Sequence, residues 1–251
     1  MPHYLTFALV APLASFGGLA VGERRSGWDR PARSAVLGLV GACLGLEREA
    51  DAAQAALASD YALALLCHAP GRLLADYHTA QVPSAQRNRR FATRAEEIDF
   101  PSHRLNTILS RRDYRSDAWH LAALWPRGVA PRWSLEALAE AMMQPGFVPY
   151  LGRKSCPLGL PLGPEIVEAS DAPAALAQRH ATGKEVGFRD RWLNARAVAP
   201  PTVTLDAADA QDIAADDPRR LRVEFRRDQP RSRRRWQFDL REELILQLPA
   251  A

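Results

Sequence analysis

The chain reads as an α+β fold, and three observations carry that reading. Residues 4–10 alternate Leu5, Phe7 and Leu9 with Tyr4, Thr6 and Ala8, the two-residue period of a strand that buries one face. Pro31 opens a helical run of small and apolar residues reaching Gly45, and proline suits a first helical turn because its missing N–H would have no partner there. Two more apolar, strand-like runs, residues 61–69 and 118–125, flank a long polar and basic segment.

Taken in order, the first strand ends at Ala11-Pro12, and residues 21–30 are polar and basic. The helix over 31–45 holds Gly38, Gly41 and Gly45, each costing about 1 kcal/mol relative to alanine in a helix interior. Ser34, Gly38, Gly41, Ala42 and Gly45 recur at helical spacing and make one smooth face. That face permits close approach of RNA or a partner chain, and tight packing on a sheet explains it equally well.

Residues 61–69 form the second strand. From Asp76 to Arg115 the texture changes: Arg87, Arg89, Arg90, Arg94, Arg104, Arg111, Arg112 and Arg115 are interspersed with Phe91, Phe100 and Tyr114. Too few of these residues could form a core, and a polar excursion of this length inside a domain is usually functional or disordered. We read it as a hairpin or arm projecting from the body. The alternative is a solvated loop whose arginines pair with Glu96, Glu97 and Asp99, each pair worth little.

Residues 118–125 give the third strand. Ser134 is placed to cap a helix carrying Leu135, Leu138, Ala139 and Met142 until Pro145-Gly146, and a short strand over 147–151 follows. With the arm set aside the order is β-α-β-β-α-β, the ferredoxin-like arrangement shared with RRM domains. The predicted organisation is a ferredoxin-like body over 1–76 and 116–157, an inserted arginine-rich hairpin over 77–115, and a smaller β-rich C-terminal region over 158–251. In that last region, residues 221–225 and 236–240 read as two strands around a basic cluster spanning residues 219–235. The cluster suits RNA, an acidic partner face or the protection of an edge strand.

Composition narrows the function. The apolar run at the start is too short to span a bilayer and has no basic segment before it, so the protein reads as cytoplasmic with no membrane partner. Cys43, Cys67 and Cys156 are odd in number and far apart, which suggests neither a disulfide framework nor a zinc site, and the six histidines include no H-x-x-x-H pair. No cofactor is expected. Formal net charge is only +4, but the basic residues are 31 arginines against Lys154 and Lys184. The planar guanidinium suits phosphate and stacks on bases, although a GC-rich genome produces the same ratio, and the Ala-rich stretch over 52–58 favours that explanation.

Catalytic signatures are absent. Gly152-Arg153-Lys154-Ser155 lacks the spacing of a P-loop, and there is no G-x-G-x-x-G helix start or G-x-S-x-G elbow. His78 beside Tyr77, at the root of the basic arm, is the one arrangement compatible with metal-free RNA cleavage. A lone histidine in such a segment more often contacts phosphate or a neighbouring carbonyl.

The stretch Pro31-Ala32-Arg33-Ser34-Ala35-Val36-Leu37-Gly38-Leu39-Val40-Gly41-Ala42 resembles the P-T-R-S-G-L-L-G-L-L-G-A motif of the fifth CRISPR-associated protein family (RAMP superfamily), in its type I-E Cascade branch. Further pieces agree in order: Ala11-Pro12-Leu13-Ala14-Ser15-Phe16-Gly17, Asp76-Tyr77-His78-Thr79, residues 110–118 (SRRDYRSDA) and residues 150–158 (YLGRKSCPL). The match covers about residues 1–160, with only Arg227-Asp228-Gln229-Pro230 and the basic strand beyond it in the C-terminal third.

The resemblance implies an RNA-binding ferredoxin-like body with an arginine-rich thumb hairpin. It also implies a non-catalytic place at the foot of a surveillance complex, holding the repeat-derived 5′ handle of the crRNA and capping the backbone filament. Implied partners are the crRNA, backbone Cascade subunits, the large PAM-reading subunit and, indirectly, target DNA. The alternative is a metal-independent endoribonuclease that processes repeat RNA, as in type I-C relatives. On this reading Arg24, Arg25, Arg30 and Arg33, with Arg153 and Lys154, neutralise handle phosphates. The Ser34, Gly38 and Gly41 face admits close backbone approach, and His78 with the thumb arginines (Arg87, Arg90, Arg94, Arg104, Arg111, Arg112, Arg115) contacts the guide.

Overall fold

A computed structural model describes residues 1–18, 20, 22–85, 90–193 and 200–248. The strands are β1 (His3–Ala14), β2 (Arg24–Arg25), β3 (Tyr61–Ala69), β4 (Arg72–Pro83), β5 (Leu105–Pro126), β6 (Glu165–Glu168), β7 (Thr202–Asp206), β8 (Arg220–Ser232) and β9 (Gln237–Gln247). The helices are α1 (Arg33–Cys43), α2 (Asp51–Asp60), α3 (Arg94–Ile98), α4 (Leu135–Met143), α5 (Ala172–Thr182) and α6 (Val186–Trp192). One large sheet runs in the order β6-β1-β5-β3-β7-β9-β8, with β2 and β4 also attached to β5. Neighbours are antiparallel except β2 and β5.

The strand expected at residues 4–10 is longer and is buried on both faces. Leu5, Phe7 and Leu9 pack under α1 and α4, while Tyr4, Ala8 and Val10 pack with Ala175 and Leu176 of α5. The second helical layer comes from the C-terminal third, where the local pattern was weak. Pro12 does not end β1. It stands opposite Asp117, which adopts a left-handed φ of 58°, and the register resumes with Leu13 against Ser116.

The polar segment and the third strand are one continuous element. β5 is 22 residues long; its second half lies between β1 and β3, and its first half pairs with β4 from Arg72 against Ser116 to Pro83 against Leu105. The short strand expected at 147–151 is not formed, and only a single bridge joins Tyr150 to Pro157. Phe147 and Val148 have strand-forming side chains but remain 48% and 80% exposed. The place beside β1 goes to β6, whose Glu-Ile-Val-Glu sequence is too short to announce itself. α2, in the Ala-rich stretch, is a true helix that buries Ala53, Leu57 and Ala58.

α1 illustrates how the two ends of the chain depend on each other. Its N-cap residue, Ala32, has no side chain to accept a helix N–H. The Asp228 carboxylate, 195 positions away, accepts from the Arg33 N–H at 2.8 Å. Around this contact Arg241 donates to Asp228 at 2.7 and 3.1 Å and to Glu243 at 2.7 Å. Arg30 donates to Glu243 at 2.5 and 3.0 Å and to Glu224 at 2.5 Å. Arg226 donates to the Pro31 carbonyl at 3.2 Å and covers Trp28. Arg33 reaches Gln229 Oε1 and the carbonyls of Ala58 and Tyr61; burial pulls its pKa down to about 10, so it stays charged at neutral pH.

Burial alone would raise the pKa of Asp228, but the hydrogen bonds and charge of Arg241, with Arg226 and the Arg33 N–H, hold it below the ordinary carboxylate range. A folded-state pKa below the unfolded one stabilises fully above the unfolded value of about 3.9, and that contribution is lost as pH falls through the depressed folded value. Asp228→Asn should therefore cost about 3–5 kcal/mol at neutral pH, the usual result of orphaning one side of a buried charge cluster. Urea unfolding across acidic pH should show a shallower acid loss in the variant than in the wild type.

Candidate nucleic-acid interface

β2 consists of two arginines, and its parallel pairing with β5 sets Arg24 against Arg111 and Arg25 against Arg112. On the other edge of β5, Tyr77 and Asp76 stand opposite the same two residues. Cross-strand partners share a face and successive residues alternate. Arg24, Arg111 and Tyr77 therefore occupy one face of the hairpin root, and Arg25, Arg112, Asp76 and His78 the other. Among the described residues, none of these four arginines has a carboxylate within 4.0 Å.

A fifth guanidinium joins from a separate loop. Arg153 lies 4.5 Å over the Tyr114 ring and donates to the Asp113 carbonyl at 3.3 Å, with exposed Lys154 beside it. The loop is fixed by Gly152, whose φ is +93° and whose added Cβ would lie 1.7 Å from the Ser15 carbonyl oxygen. Only glycine fits that approach.

Next to the root is a cleft of about 560 Å³ between the Gly-containing segment after β1, the open side of α1, the Gly152 loop and the β8–β9 hairpin. Arg25, Ser34, Gly38 and Arg153 line it together with Trp28 and Tyr150, residues that are 40% and 37% exposed. These two aromatics escaped the sequence reading. Their signal is weak, since each is a single large ring in a polar loop.

Several predicted residues go elsewhere. Arg30 and Arg33 are 5% and 1% exposed and engaged in the interior network, which corrects their assignment as phosphate contacts: each is committed to partners inside the fold. Gly41 faces Gln54 and Leu57 of α2, so it serves helix packing. Arg115 donates to the carbonyls of Trp28 and Gly71 at 3.1 and 3.4 Å, tying the Trp28 segment to the hairpin. Arg94 pairs with Glu97 at 2.6 Å and also donates to the Gln81 carbonyl. Arg90 and Arg104 are exposed farther along the hairpin, and Arg87 and Arg89 lie outside the described residues. His78 Nε2 contacts the Asp76 carboxylate, while Tyr77 projects from the opposite face, so the two do not form a pair.

A family model described as CRISPR-associated protein (Cas_Cas5) matches residues 4–241, nearly the whole chain. The protein belongs to this CRISPR-associated family. It is 31% identical over 196 residues to the CRISPR system Cascade subunit CasD of Escherichia coli strain K12, covering 74% of this chain and 81% of the relative. Among solved structures, a chain of a CRISPR RNA-guided surveillance complex aligns with a TM-score of 0.59 at 20% identity, over 98% of this chain and 91% of that one. A crystal structure of a Cas protein aligns with a TM-score of 0.54 at 23% identity, over 99% and 98% of the two chains. These two share the fold.

For this family member the loop conformation at Gly152 sets the position of Arg153. Gly152→Ala should destabilise by about 2–3 kcal/mol, because backbone must move to admit the methyl group. The check is a lower urea midpoint at unchanged m-value.

Proposed function

We propose that this protein is a non-catalytic subunit of a type I-E Cascade surveillance complex, binding the repeat-derived 5′ handle of the crRNA and capping the backbone filament. The observation that carries the reading is the gathering of Arg24, Arg25, Arg111, Arg112 and Arg153, from three separate segments, at one hairpin root without carboxylate partners among the described residues. The buried Arg30, Arg226 and Arg241 are paired with acids; these five are left with charge to offer a polyanion. Phosphate contacts fix the register of a nucleic acid, and exposed rings beside them can stack on unpaired bases.

The body is of the ferredoxin-like type. The order β6-β1-β5-β3 with antiparallel neighbours supports this, β1, β3, β5 and β6 taking the places of the first to fourth strands. The β4–β5 hairpin is the thumb, which presses on the guide and on an adjacent backbone subunit. The large PAM-reading subunit is the other neighbour, and target DNA is met through the guide. Repeat cleavage is the second reading; it rests on His78, which contacts the Asp76 carboxylate while Tyr77 lies on the opposite face of the strand.

Co-expression with the neighbouring operon products, purification and sequencing of the bound RNA tests the role. Guides with one uniform repeat-derived 5′ end are expected, and random fragments would refute it. Arg111→Ala with Arg112→Ala should lower the salt dependence of RNA binding by about one to two counterions. Incubation of repeat RNA in EDTA should leave it intact; cleavage that disappears in His78→Ala would favour the enzyme.

A further inference from the structure

The β8–β9 turn, residues 233–236, holds a feature that neither folding nor the hairpin root explains. Trp236 closes the turn by donating its N–H to the Arg233 carbonyl at 3.3 Å, and it does so at a left-handed φ of 57°. That conformation normally falls to glycine or asparagine, and for a bulky side chain it is an outlier. Trp236 is not a core residue that repays this by full burial, since it is 53% exposed. Strain of this kind persists where the surroundings impose it, and it concentrates at binding sites.

The ring is held in place. The Arg48 guanidinium lies 4.5 Å from its centroid, and Phe238 meets it edge-on at 5.7 Å. The turn itself is pinned to α1 by Arg233, which donates to the Ser34 carbonyl and lies where a Cβ on Gly38 would come within 2.9 Å of both terminal nitrogens. Gly38, expected to admit RNA backbone, is thus the seat of Arg233. Burial first, then the charge of Arg48, lowers the Arg233 pKa to about 10. The neighbouring Arg234 and Arg235 are exposed and, among the described residues, have no carboxylate within 4.0 Å. Trp236 and Phe238 line the same cleft as Arg25 and Arg153, so a strand held at the hairpin root can reach them.

We propose that Trp236 is a stacking platform for one unpaired nucleotide of the guide RNA, with Arg234 and Arg235 contacting the adjoining phosphates. This rests on the RNA-binding reading above. Base-on-aromatic stacking with flanking cations is how proteins hold single strands without reading sequence.

The test uses the full chain and a fluorescein-labelled single-stranded RNA of the repeat sequence, with affinity read by anisotropy. Trp236→Gly supplies the residue that the backbone prefers, so its thermal midpoint should hold or rise while RNA affinity falls about tenfold. Trp236→Phe should keep most of the affinity; a Phe variant as weak as the Gly variant overturns the stacking role. Wild-type affinity in Trp236→Gly, alongside weakened binding in the Arg111→Ala, Arg112→Ala variant, overturns this inference and leaves the RNA reading standing. A wild-type chain that does not bind RNA overturns both. In the co-purified assembly, ultraviolet crosslinking should join the Trp236 peptide to guide RNA, and a crosslink to target DNA alone overturns the assignment.

Discussion

The buried cluster of Arg30, Arg33, Arg226 and Arg241 with Glu224, Asp228 and Glu243 is the constraint on which the remaining architecture depends. It joins the start of α1 to a hairpin almost two hundred positions later and supplies the helix cap that Ala32 lacks. A buried ion cluster gains little net stability over apolar packing, because desolvation offsets its attraction, but losing one partner strands a buried charge at high cost. One wall of the cleft is therefore fixed by charge and geometry. The opposite wall is fixed by Gly152, which lets the Arg153 loop lie against the backbone of Ser15.

This division gives the arginines two populations with different physics. Those of the cluster are desolvated and engaged inside the fold, and their work is mechanical. Those at the hairpin root, on β2 and in the Gly152 loop have no acidic partner among the described residues, and they stand beside a cleft with exposed aromatics. An electrostatic footprint for a polyanion comes from the second population alone, which is why a net charge of +4 understates it.

Much of the fold was legible. The strand at Tyr61–Ala69 and the helix capped by Ser134 were read with their limits nearly right, because an uninterrupted apolar run and a local cap are signals carried by adjacent residues. The fourth strand was misplaced to 147–151 because β-propensity reports side-chain shape, whereas membership of a sheet requires a free edge, and β1 offered its edge to β6. Of the site, Arg24, Arg25, Arg111, Arg112 and Arg153 were named from motif and composition, but the same reasoning also named Arg30 and Arg33. Charge type is visible in a sequence and desolvation is not.

The sequence by itself determined the α+β class, the basic arm and the family resemblance, since these rest on periodicity, composition and ordered motifs along the chain. Only the tertiary structure decided which arginines face solvent, that Asp228 and Gln229 hold the start of α1 through Arg33, and that Gly38 seats Arg233. Those outcomes depend on contacts between residues as much as 199 positions apart, and the burial that makes an arginine structural or leaves it available is a property of what folds over it.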